Sequence, residues 1–186
     1  FLSNTAITIA GTSFVDHQND GVLLSSVKSA AISNSNFIAA SDSEVSRGLE
    51  MIDVTTSAIT NTTFTNHSNP LGLGAGIRIA VTAVSFSEST LKNHSLDRCT
   101  FTNNSALSGG GLSVETGDYN ITVTNTKFYS NQAVQSGGAV YYNAEITGSF
   151  FQISGLSTFE ENEAGVSGGA VFTQGQPAQF IGNSLE

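Results

Sequence analysis

The sequence predicts an all-β chain wound as a single-stranded, right-handed parallel β-helix, a β-solenoid of about six to seven coils. Three observations predict it. One pattern is written twice, 31 residues apart: Phe128-x-x-Asn131 then Gly137-Gly-Ala-Val140, and Phe159-x-x-Asn162 then Gly168-Gly-Ala-Val171. Seven phenylalanines, Phe14, Phe37, Phe64, Phe101, Phe128, Phe159 and Phe180, mark successive copies at separations of 21 to 37 residues. Helical-hairpin repeats have a nearly fixed length, whereas strand coils absorb such variation in their loops. Finally, no segment of ten or more residues shows a capped helical period of apolar residues, which disfavours a doubly wound α/β fold. A β-sandwich would explain short strands and turns, but not columns that recur at one repeat distance.

Each phenylalanine but the last is followed by a short apolar strand led by a small residue. Two columns run through these strands: Val22, Leu49, Ile77, Leu112, Val140 and Val171, and then Leu24, Met51, Ile79, Val114, Tyr142 and Thr173. The residue between them varies, through Leu23, Glu50, Arg78, Ser113, Tyr141 and Phe172. This alternation is the mark of a strand with one buried face.

A second strand runs up to each phenylalanine. Five residues before it stand Ile9, Ile32, Ile59, Leu96 and Val123, with Ile153 one place further back. Two residues before it stand the small side chains Thr12, Ser35, Thr62, Cys99, Thr126, Ser157 and Ala178. The odd step between the two columns predicts a bend between short strands. About three strands per copy then return the chain to its start, and copies stack to form a continuous core.

The repeated residues have physical reasons. Phenylalanines one coil apart can stack, about 4.8 Å from each other. The asparagine three residues on can adopt the left-handed conformation, and stacked asparagines form an amide ladder. That position reads His17, Ala40, His67, Asn104, Asn131, Asn162 and Asn183, so the ladder is expected in the C-terminal half, at Asn104, Asn131, Asn162 and Asn183. A glycine at the strand entry makes a tight corner without a Cβ clash.

Composition narrows the function. The 186 residues suit one solenoid segment, and a net charge of −9 argues against nucleic acid and anionic membrane surfaces. No run of 18 apolar residues is present, so no direct membrane insertion by this segment is expected. Both ends cut into the repeat, and we read the chain as part of a longer solenoid. Spacing stretches most around residues 80–95, read as a loop insertion with a binding loop as the functional alternative.

Candidate chemistry is sparse. Glu160, Glu161 and Glu163 fall in a turn, where solvated charge is ordinary. Glu50 and Arg78 share the outward column and are expected to form an exposed ion pair worth less than about 1 kcal/mol. His17, His67 and His94 lack metal-ligand spacing, and Cys99 reads as an inert buried thiol. No catalytic residue, metal site or cofactor is expected. Asn-x-Ser/Thr acceptors for N-glycosylation stand at Asn61, Asn66, Asn93, Asn103 and Asn120. Tyr141 and Phe172 are adjacent in the outward column, and such an aromatic patch marks an interaction surface.

The alternation of Phe-x-x-Asn, at 101–104, 128–131, 159–162 and 180–183, with Gly-Gly-Ala-Val, at 137–140 and 168–171, resembles the repeats of the chlamydial polymorphic outer-membrane proteins and similar β-helical surface proteins. The near match Gly109-Gly-Gly-Leu112 extends the likeness over about residues 96–186. The resemblance implies an extracellular passenger or stalk. Non-enzymatic structural or adhesive work at a cell surface is therefore expected, with partners among proteins (self-assembly or other surface proteins) or cell-surface glycans. A carbohydrate-binding or polysaccharide-cleaving β-helix is the alternative.

Overall fold

The computed structural model describes residues 3–40, 44–82, 91–115, 117–144, 148–182 and 184–185. Every strand pairing among them is parallel, and each strand's neighbours come from the preceding and following copies of the repeat. We number the four sheets I to IV in the order the chain visits them within a copy. Sheet I has seven strands, from Ser3–Ala10 to Ala178–Phe180. Sheet II has seven, from Ser13–His17 to Ser184–Leu185. Sheet III has four, Ser68–Leu73, Ser105–Ser108, Gln132–Ser136 and Glu163–Ala164. Sheet IV has six, from Asn19–Ser25 to Val171–Gly175. These stacked parallel sheets are those of a β-solenoid.

The apolar columns are strand registers. Val22, Leu49, Ile77, Leu112, Val140 and Val171 pair in series along sheet IV, as do Leu24, Met51, Ile79, Val114, Tyr142 and Thr173. In sheet I the column Ile9, Ile32, Ile59, Leu96 and Val123 continues directly to Ile153. The apparent slip at Ile153 is absorbed in the bend, where Gly155 is left-handed. The bend itself recurs three residues before each phenylalanine from Phe14 to Phe128, at Gly11, Asn34, Asn61, Arg98 and Asn125, all with φ between 46° and 60°.

Sheet III is an addition to the three strands per copy that the pattern predicted. It occupies the stretch between Phe-x-x-Asn and the glycine pair in the copies from Ser68 onward. The glycine pair then makes the corner into sheet IV. Gly137 has φ +66°, and a Cβ there would strike the Val140 carbonyl; a Cβ at Gly138 would strike the Gly169 carbonyl of the next copy. The first glycine serves a conformation and the second a close backbone approach.

The phenylalanine stack runs unbroken from Phe14 through Phe37, Phe64, Phe101 and Phe128 to Phe159, with ring centroids 4.7 to 5.0 Å apart and interplanar angles of 16° or less. Phe180 does not extend it. Phe180 pairs with Ile153 in sheet I, and Leu185 pairs with Phe159 in sheet II. Phe180 is 44% exposed and meets Phe151 edge-on. The left-handed Gly182, three residues before Leu185, sets this register, as Gly11 does before Phe14. Ala178 accordingly falls opposite Phe151 rather than in the small-residue column, and Asn183 lies outside the described residues.

At both edges of the insertion expected over 80–95 the chain is strand. Ala80 closes a sheet IV strand, and Lys92 to Ser95 already belong to the sheet I strand Lys92–Asp97, paired on both sides. Residues 83–90 lie outside the described residues.

Candidate functional site

Two places gather polar and aromatic groups: the corner after the phenylalanine stack and the outward column of sheet IV. At the corner, the left-handed residue is two after the phenylalanine rather than three. Asp16, Asn66, Asn103, Ser130 and Glu161 have φ between 52° and 61°. This turn swings the next residue inward. Asn104 and Asn131 are fully buried and form a ladder. The Asn131 Oδ1 accepts from the backbone N–H and the Nδ2 of Asn104, at 3.2 and 2.9 Å, and the Asn162 Oδ1 accepts from the same groups of Asn131, both at 3.0 Å. Each Nδ2 also donates to a phenylalanine carbonyl, Asn104 to Phe64, Asn131 to Phe101 and Asn162 to Phe128, all at 3.0 Å. A buried amide is costly unless its donors and acceptors are met. The ladder meets them by joining one copy to the next.

The ladder's upper rung is a histidine. The His67 backbone N–H donates to Asn104 Oδ1 at 3.1 Å, and its ring Nε2 bonds the Phe37 carbonyl at 3.2 Å. Sheet II pairs His17 with Ala39 after an irregularity in register, so Ala39 and not Ala40 fills the equivalent place. The His17 and His67 rings reach one another across that small residue. Burial lowers the pKa of both imidazoles, that of His67 to about 3.

A second ladder lines the bend between sheets I and II. The hydroxyls of Ser35, Thr126 and Ser157 accept from the backbone N–H groups of Thr12, Cys99 and Thr126. They donate in turn to the carbonyls of Ser33, Thr124 and Ser154. Cys99 takes a hydroxyl's place there, buried, with its thiol pushed up to about 12 chiefly by desolvation. The small-residue column is thus a hydrogen-bonding element. Its residue types were visible in the sequence, but the directions of their bonds were not.

On sheet IV the outward column is less exposed than alternation implies. Leu23 is 53% exposed, but Glu50 is 7% and Ser113 is 0% exposed. The turn leaving sheet III roofs this column: a Cβ on Gly74 would lie 3.0 Å from the Ser113 Cβ, and one on Gly109 the same distance from the Tyr141 Cβ. The exposed Glu50–Arg78 pair anticipated from the column is instead part of a half-buried chain of charges. Arg47 bridges Asp20 at 3.0 Å and Glu50 at 2.9 Å, Arg78 bridges Glu50, and Arg78 holds Glu115 through two nitrogens. Glu115 above all holds the Arg78 guanidinium in its charged form. Asp20, Arg47 and Glu115 were missed because they flank the three-residue strand core, although Asp20 and Arg47 share a register.

Tyr141 and Phe172 stand beyond Ser113 in the same column. Their rings stack on one another, 5.4 Å apart and 5° from parallel, and both are half-buried. Each ring therefore covers part of the other. Around the corner, Asn103, Asn104, Ser105, Ser130 and Gln132 line a shallow polar depression of about 230 Å³. Its lining carries no titratable side chain.

The remaining residues are dispersed. Glu160 pairs with Lys127 at 3.3 Å and Glu161 accepts from Ser130 at 3.0 Å, so these two acids serve as links between copies. Among the described residues no group of three or more His, Cys, Asp or Glu could hold a metal, and no helix is long and apolar enough to cross a membrane. Asn61, Asn66, Asn93 and Asn103 are exposed and Asn120 is half-buried. They form external amide contacts, Asn61 to Asn34, Asn103 to Asn66 and Asn120 to Asn93. His94 is buried in sheet I with Nδ1 2.9 Å from the Ser57 hydroxyl, and desolvation lowers its pKa to about 4.

Comparison with known families finds the Chlamydia polymorphic membrane protein repeat at two places, residues 98–115 and 157–174. Each match spans one strand of sheet II, one of sheet III and the entry into sheet IV. The copy between them, with Phe128 and Val140, is hydrogen-bonded to both in the same register. No curated protein and no solved structure matches the chain.

Proposed function

We propose that the chain is a segment of a surface-displayed, non-enzymatic β-helix that acts as an adhesive passenger, stalk or filament component. The observation that carries this reading is the repeat of a membrane-protein family at residues 98–115 and 157–174, with a copy of the same register between them. Physical features support it. The rigid phenylalanine and asparagine stacks suit a spacer that holds its shape. The low content of charged side chains, 11%, suits contacts made by hydroxyls and amides. An antibody against this chain, applied to intact source cells, tests the placement: labelling before permeabilisation is expected, and labelling only afterwards would overturn it. Adhesion is tested by the retention of beads coated with the purified chain on cells or immobilised glycans, compared with beads carrying Tyr141→Ser/Phe172→Ser. Equal, background-level retention of both would remove the adhesive role and leave the stalk.

The stacked Tyr141–Phe172 pair favours a second reading, a carbohydrate-binding β-helix, because sugar rings pack against aromatic side chains. Glycan-array binding lost in the same double variant is the result this reading expects.

A further inference from the structure

The corner position that carries Asn104, Asn131 and Asn162 in later copies carries His17 and His67 in earlier ones. Ala39 stands between them, and its small side chain lets the rings approach to 5.1 Å at an interplanar angle of 33°. Each ring fits against a glycine: a Cβ at Gly21 would lie 2.9 Å from His17 Nε2, and one at Gly48 would lie 2.9 Å from His67 Nε2. His67 is fully buried. With Nε2 donating to the Phe37 carbonyl, its neutral form leaves only a lone pair at Nδ1, and that atom has no partner. A second proton would place an N–H at Nδ1 with no acceptor, beside another imidazole. A buried charge without a partner is among the costliest states a protein can hold. His17 has no hydrogen-bond partner at either ring nitrogen. The groups facing it are the carboxylates of Asp16 and Asp20 and the carbonyls of Phe14 and Arg47, all of which favour its cation. The groups facing His67 are His17, which opposes its cation, and the Phe37 carbonyl, which favours it. The Arg47 side chain is engaged with Asp20 and Glu50.

We propose that the His17–His67 pair is an acid-operated release for the N-terminal coils, which open as the surroundings acidify while the coils from Lys127 onward, which hold no histidine, stay wound. In the folded chain the His67 pKa lies near 3, well below the ordinary 6.5, chiefly because of desolvation. The opened chain therefore binds the proton more readily. The stability His67 contributes is complete above 6.5 and is lost as the pH falls from 6.5 toward 3. Through that window the opening equilibrium rises roughly tenfold for each pH unit from His67 alone. Asparagine does not titrate, so the same slot in the later copies carries no such dependence.

Hydrogen exchange of the whole chain at pH 7 and pH 5, corrected for intrinsic rates, tests this. In the natural chain, protection over residues 19–52 is expected to fall at least tenfold relative to residues 127–160. In His67→Asn, which places the later copies' side chain in the slot, the two regions are expected to fall together. An equal regional difference in both proteins, or none in the natural chain, would overturn the proposal. If the variant does not fold at pH 7, an NMR titration of the natural chain decides. His67 is expected to stay neutral in the folded form down to pH 5, and a folded-state titration near 6.5 would overturn the proposal. His94 is buried in sheet I against Ser57 and the Tyr119 ring and would open its own surroundings, which lie outside both compared regions.

Discussion

From Thr100 onward, the corner after the phenylalanine stack is closed by Asn104, Asn131 and Asn162; before it, the same corner holds His17, Ala39 and His67. The amides convert the corner into a continuous line of hydrogen bonds between copies, with acceptor and donor satisfied at Asn104 and Asn131. The histidines fill the volume and meet at a tilt, but three of their four ring nitrogens have no partner. Sheet III begins one copy before that boundary, at Ser68 in the copy that carries His67. In the earlier ones, Ser13–His17 is followed directly by Asn19–Ser25. The phenylalanine stack runs through both regions with the same spacing. The difference teaches that stacking apolar rings is enough to set the repeat, while the polar corner decides how firmly, and under which conditions, neighbouring copies are tied.

The comparison can be tested by changing what the two regions share and what they do not. The largest effect is expected at the shared stack. Phe128, fully buried between two rings each 4.8 Å away, should cost about 3–5 kcal/mol on replacement by alanine, read by chemical denaturation. Phe37→Ala should cost as much, and a clearly smaller loss there would show that the N-terminal stack is less tightly packed. Next comes the ladder. Asn131→Ala leaves the Phe101 carbonyl and the Asn104 N–H without their partners and should cost about 2–4 kcal/mol, against a neutral or stabilising His67→Asn.

Acid should act next. His94 has a folded pKa of about 4 against an ordinary 6.5, chiefly through burial. Its contribution is complete above 6.5 and is lost as the pH falls toward 4, on the order of 2–3 kcal/mol. Melting temperature should therefore drop between pH 7 and 4.5, and drop less in His94→Gln. Glu50→Ala would leave Arg47 and Arg78 facing each other without the carboxylate that bridges them. We expect a loss of about 1–2 kcal/mol, reduced at high salt. The smallest change is Lys127→Ala, on the exposed face of sheet II. Despite its contacts with Glu160 and the Tyr129 ring, it should cost less than about 0.5 kcal/mol; a loss near that of Phe128→Ala would mean that the inward phase of the sheet II strands is misassigned.

Two kinds of feature escaped the sequence. Phe180 copies the Phe-x-x-Asn pattern yet lies in sheet I, because a register is decided by the corner that precedes a strand. Gly182 places that corner beyond Phe180. Glu50 sits in an outward position yet is buried, because the turn through Gly74 folds over the column, and sequence alternation cannot report a roof contributed by another segment. In the same way, the contact between His17 and His67 needed the irregular pairing of His17 with Ala39, which no spacing rule predicts.

The sequence by itself determined the strand columns, the phenylalanine repeat from Phe14 to Phe159, the buried asparagines and the likeness to the polymorphic membrane protein repeat. These depend on periodicity: side chains alternate across a strand and identical positions recur at each copy, so inward and outward can be counted along the chain. Tertiary structure alone decided which corner residue turns left-handed, which hydroxyl bonds which carbonyl, how Asp20, Arg47, Glu50, Arg78 and Glu115 join, and which rings meet. Those outcomes depend on distances between residues some 20 to 40 apart in the chain. They are fixed by how one copy settles on the next, a few tenths of an ångström at a time in a close-packed interior.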